Sequence, residues 1–153
     1  MFVRKLKNIM KPKISIPVSH LFNDPKNVKA LSGLYDCLET RPFSIDCGLA
    51  DQELVHADCI QPIHDLSLKD IEFLHSIKKK KKSLSLISFH CASNCTNPTV
   101  IEGIFHATGK DIYTRAEMLQ NAKKNISLIK DIFGPGIKLA IENNNYYPTD
   151  AYD

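Results

Sequence analysis

The stretch "IKLAIEN" (residues 137–143) decides how the chain is read. It is a near-continuous apolar run, broken by one lysine, that ends in a carboxylate, Glu142, and a cluster of asparagines and tyrosines. The Gly-Pro-Gly at 134–136 directly before it is a helix stop, because Gly supplies a left-handed cap and Pro cannot continue the helix. A second run of the same kind, "LSLISFH" (84–90), ends in His90. Runs of this type suit strands covered on both faces, as in a parallel sheet with helices outside.

Upstream of each run lies a helical pattern. "TRAE" reads as a Thr114–Glu117 capping box, and Leu119, Ala122, Ile126, Ile129 and Phe133 follow on one stripe. Ser67 and Asp70 open another helix, with Leu68, Ile71, Leu74 and Ile77 as its stripe. Asp24 caps a first helix with Pro25 at its first position, and Val28, Leu31, Leu34 or Tyr35, and Leu38 continue the spacing. Further short β-rich runs occur at 14–18, 43–47 and 53–57. Strands alternating with helices define an α/β class, with residues 14–153 as a single domain after a basic N-terminal tail at 1–13. The stretch 91–113 reads as a long polar loop, the kind of segment that often carries function.

Composition narrows the function classes. The chain has 153 residues, 43% of them hydrophobic, enough for one globular domain. No apolar run reaches the roughly 18–20 residues of a membrane span. No secretion signal is legible, so a cytoplasmic setting is expected. A formal charge of +3 is too small to argue for nucleic acid as a partner. Five cysteines (37, 47, 59, 91 and 95) form an odd count that reads as reduced, packed thiols. The lysine run at 78–82 falls at a helix end, where cations complement the dipole and stay solvated. It also leads into a strand, so it lies opposite the face where β/α folds do chemistry. P-loop, G-x-G-x-x-G, G-x-S-x-G and H-E-x-x-H patterns are all missing from the sequence.

Three ionisable residues share one topological position. His56 ends "ELVHAD", His90 ends "SLISFH" and Glu142 ends "KLAIEN". The C-terminal ends of parallel strands are where ligands gather. Two imidazoles and a carboxylate suit a divalent metal such as zinc, manganese or iron. His20, after the first run, is a further candidate for that mouth. His64 and Asp58 or Asp65 are candidates to orient a ligand ring from behind. His75 and His106 receive no role. Cys91 is no dyad partner for His90, since neighbouring strand residues point to opposite faces.

The succession "LVHAD" (54–58), "LISFHCAS" (86–93) and "LAIENNNYY" (139–147) resembles the xylose isomerase-like TIM-barrel superfamily, which includes sugar phosphate isomerases and epimerases and the endonuclease IV-type AP endonucleases. The resemblance covers roughly residues 43–150. It implies a partial (β/α) TIM barrel of about five parallel strands, an N-terminal portion, since a full barrel has eight strands in about 250 residues. It implies His56, His90 and Glu142 as ligands of a divalent metal (Mn, Zn, Fe or Mg), and Glu142 as a catalytic base. Asn143, Asn144 and Tyr146 are then available to bind a sugar-like substrate. The activity implied is that of an isomerase or epimerase. A nuclease or a multinuclear non-heme iron oxidase on the same scaffold is the alternative, and an inactive half-barrel is another. A half-barrel also exposes a strand edge that invites a second copy or a complementing chain.

Overall fold

The computed structural model describes residues 12–91, 94–96, 99–101, 104–106 and 112–143, with side chains at all of these except 99–101, 104–106 and 143. Strands β1 (Ser15–Pro17), β2 (Cys37–Thr40), β3 (Leu54–Ala57) and β4 (Leu86–Cys91) precede a short pair, β5 (Thr99–Ile101) and β6 (Ile104–His106), and β7 (Lys138–Asn143) comes last. Helices α1 (Pro25–Leu31), α2 (Leu68–Lys80) and α3 (Arg115–Phe133) alternate with them. The five main strands form one all-parallel sheet in the order β1-β2-β3-β4-β7, and β5 and β6 pair antiparallel inside the stretch expected to be loop.

The order follows the chain without reversal, and one face of the sheet takes all three helices. Ile16, Leu38, Val55, Ala57, Ile87, Phe89 and Leu139 share a face through the strand register. Val28 and Leu31 of α1 pack with Leu38 and Ile16. Leu74 and Ile77 of α2 and Ile129, Ile132 and Phe133 of α3 pack with Val55, Ala57, Ile87 and Phe89. Fully burying a side chain such as Leu74 contributes roughly 2–3 kcal/mol, so this layer is what holds sheet and helices together. Alternation then puts Glu39, His56, Ser88, His90 and Glu142 on the opposite face.

Three expectations need correction. The first helix stops at Leu31 because Ser32 and Gly33 break it, with Gly33 at φ 89°, a left-handed value that glycine adopts without a Cβ penalty. Leu38, assigned by spacing to that helix, is instead a β2 residue only 1% exposed. The strand expected at 43–47 is a 3-10 turn, Pro42–Ser44, closed by Arg41 N–H donating to Ser44 Oγ at 2.9 Å. Both long helices start at the capping boxes read from the sequence, Ser67–Asp70 and Thr114–Glu117. Their buried faces differ from the stripes, however. Leu68 and Leu119 are exposed, whereas Asn121 and Asn125 of α3 are buried. Asn125 Nδ2 donates to the carbonyls of Pro62 at 2.9 Å and His64 at 2.6 Å, and Asn121 Nδ2 to that of Ile63 at 3.3 Å. These amides fasten the loop that follows β3 to α3.

Candidate metal centre

Three strands deliver the three predicted groups to one place. His90 and Glu142 stand side by side in the β4–β7 register. His56 on β3 is level with Ser88, two residues before His90 and on the same face of β4. The strands are about 4.8 Å apart and successive same-face residues about 7 Å, distances that an imidazole and a glutamate side chain span. His56 Nε2 lies 2.9 Å from His90 Nε2. Glu142 Oε2 lies 3.4 Å from His56 Nε2 and 3.8 Å from His90 Nε2. The two rings meet edge to face with centroids 4.7 Å apart.

The electrostatics of the group point to a cation. His56 is 3% exposed, and burial holds its imidazole below the ordinary histidine value, with the charges of His90 and Arg41 adding to the effect. Glu142 and Glu39 pull the other way without overcoming it. The His56–Glu142 approach is therefore not an ordinary ion pair: a neutral ring faces a carboxylate. His56 Nδ1 lies 2.8 Å from Ser88 Oγ. With its proton on Nδ1 and donated to that hydroxyl, Nε2 presents a bare lone pair to His90 and Glu142. Electron-pair donors gathered this closely repel one another unless a proton or a metal lies among them. Edges of 2.9, 3.4 and 3.8 Å enclose a point about 2.0 Å from all three donor atoms, the length of a zinc–nitrogen or zinc–oxygen bond. Among the described residues this is the one group of three donors arranged to hold an ion.

The other predicted residues are distributed as follows. Asp58 meets Arg41 Nη1 at 3.7 Å, and Arg41 Nε meets Glu39 at 3.5 Å, so these three form a charged group at the ends of β2 and β3. The hydrogen-bond partner that orients His56 is Ser88, a residue outside the candidates read from the sequence. The period-2 spacing of Ser88 and His90 is the signal that finds it. His64 is buried and stacked on Tyr113, with ring centroids 5.1 Å apart and planes 16° from parallel. His20 is exposed on a 3-10 turn and His75 is exposed on α2. Asn143 ends β7, and Asn144 and Tyr146 lie outside the described residues. All five cysteines are free. Burial pushes the Cys91 thiol up, and burial and Asp58 do the same for Cys59, so both stay protonated at neutral pH and make poor nucleophiles.

No protein-family model, curated protein or solved structure matches the chain. The fold and the site therefore stand on the residues and their geometry alone. No helix among the described residues is long and apolar enough to cross a membrane.

Proposed function

We propose that His56, His90 and Glu142 hold a divalent metal at the mouth of a (β/α) half-barrel, and that the site isomerises or epimerises a small sugar-like substrate. The convergence of three donor atoms about one point at the C-terminal strand ends carries the reading. The sheet order supports the scaffold: sequential parallel strands with helices on one face are the winding of a barrel, whereas an open doubly wound sheet reverses its order. The two imidazoles bind through Nε2, and Ser88 Oγ holds the His56 ring by its Nδ1. Glu142 turns Oε2 to the rings, which leaves Oε1 to take and return a proton on a substrate carbon. A divalent metal in this position supplies Lewis acidity to a neighbouring carbonyl and hydroxyl pair. Arg41, braced by Glu39 and Asp58, places a cation beside the site for the polar end of the substrate. The outer edge of β7 has no strand partner among the described residues, and it is where a second copy or a complementing chain adds strands to close the ring.

Incubating the manganese- or zinc-loaded protein with a panel of ketoses and their phosphates tests this. Formation of an aldose or an epimer, lost in Glu142→Gln, is the expected result. Cleavage of abasic DNA without sugar interconversion overturns the isomerase reading in favour of a nuclease, and neither activity overturns catalysis by this chain.

A further inference from the structure

The lysine run at 78–82 divides in the folded chain. Lys78, Lys79, Lys80 and Lys82 are exposed, as expected of a helix end, but Lys81 is 8% exposed. Lys81 lines an open cavity of about 420 Å3 together with Asp46, Cys47, Asp51, Gln52 and Ser83. This cavity sits where α2 runs into β4 and where the chain enters β3. It is thus at the N-terminal ends of the strands, opposite the metal centre. Gln52, also 8% exposed, spends its Nε2 on the carbonyls of Cys47 and Leu49. That fixes the amide with Oε1 toward Lys81 Nζ, which donates to it.

A lysine ammonium carries three donors and a full charge, and burying it is costly without counter-charge. Among the described residues only the neutral Gln52 Oε1 is within hydrogen-bond reach of Nζ. The Asp46 carboxylate, in the same cavity, is taken by Lys80 at 2.8 Å. Asp51, on the cavity wall, holds φ 59°, a left-handed value uncommon outside glycine and found preferentially at functional sites.

We propose that Lys81 is the nucleophilic amine of a second site, which takes a small carbonyl compound as a Schiff base. Burial lowers the Lys81 pKa; Cys47 and Asp46 oppose it without overcoming it, and the Lys80 cation adds the smallest effect, in the same direction as burial. Desolvation and an adjacent cation are the two recognised routes to an amine reactive at neutral pH. Gln52 accepts one N–H and so holds Nζ in place, and Lys80 and Lys82, with Asp46 and Asp51, make the lining of the cavity polar. The amine adds to the carbonyl carbon, the carbonyl oxygen leaves as water with both amine hydrogens, and a carbon–nitrogen double bond remains. With glyoxylate, hydride from cyanoborohydride and a proton from water convert this imine to carboxymethyl-lysine.

The test is glyoxylate with cyanoborohydride on the intact folded protein at pH 7, with each lysine's adduct quantified by peptide mass spectrometry. Lys81 is expected to react at least ten-fold faster than Lys78, Lys79, Lys80 and Lys82, and that preference should vanish when the protein is unfolded in urea. The rate at Lys81 should also reach half-maximum at a pH well below the exposed lysines. Adducts spread over the exposed lysines with Lys81 slowest, or a Lys81 midpoint equal to theirs, overturn the proposal.

Discussion

At the scale of the residue, His56 carries the centre. It is the most buried of the three donors, and its ring is oriented by a single hydroxyl, Ser88 Oγ. Partners of this kind set the tautomer and basicity of a ligand. Ser88→Ala is expected to weaken metal binding by about 10- to 100-fold, as read by isothermal titration, with little effect on the fold. The depressed pKa of His56 also has a consequence for stability. Its ordinary value is about 6.5, and in the folded chain it lies below that, so between the two values the unfolded chain binds more protons. Stability therefore rises with pH across that window. It is fully present above about 6.5 and is lost as pH falls through the folded-state value. Urea unfolding of the metal-free protein should show a lower midpoint at pH 5 than at pH 7.5, and His56→Asn should shrink that difference.

At the scale of the element, what the sequence made legible depended on the kind of signal. The capping boxes at Ser67 and Thr114 and the apolar runs of β3, β4 and β7 are local, and each element lies where those signals place it. Strand β2 is hidden in the sequence because "CLET" is only four residues long and Leu38 continues a helical spacing. The buried face of α3 was shifted because Asn121 and Asn125 look polar. Only the three-dimensional partners, carbonyls about 60 positions earlier, reveal that they belong inside. The donor set His56, His90 and Glu142 is legible because strand-end position is a topological property, and Ser88 is legible in its period-2 spacing from His90, whereas Arg41 becomes visible only through contacts. Asn125 ties α3 to the 60–64 loop through two buried hydrogen bonds. Asn125→Leu leaves two buried carbonyls unpaired and should destabilise the protein by about 2–3 kcal/mol, measured by urea denaturation. A loss within experimental error would mean that water replaces the amide.

At the scale of the whole molecule, sheet and helices form one packed layer, and the polar groups collect on the sheet's other face. A metal bound by the proposed donors on β3, β4 and β7 would tie together elements far apart in sequence, so binding should stabilise the fold as a unit. At a free metal concentration of 100 times Kd the gain is about 2.7 kcal/mol. For a chain of this size each kcal/mol raises Tm by about 2–4 °C. A calorimetric rise of this order is expected for the parent chain and not for His90→Ala.

The most direct measurement is a cobalt(II) titration followed by visible absorption and calorimetry, comparing the parent chain with His90→Ala and Glu142→Gln. Both substitutions fall on partly exposed side chains, so the fold should survive them. The account predicts one ion per chain with ligand-field bands of a low-symmetry nitrogen and oxygen site. It also predicts at least 100-fold weaker binding in each variant, with unchanged circular dichroism. Absence of binding by the parent chain, or equal binding by the variants, would contradict it.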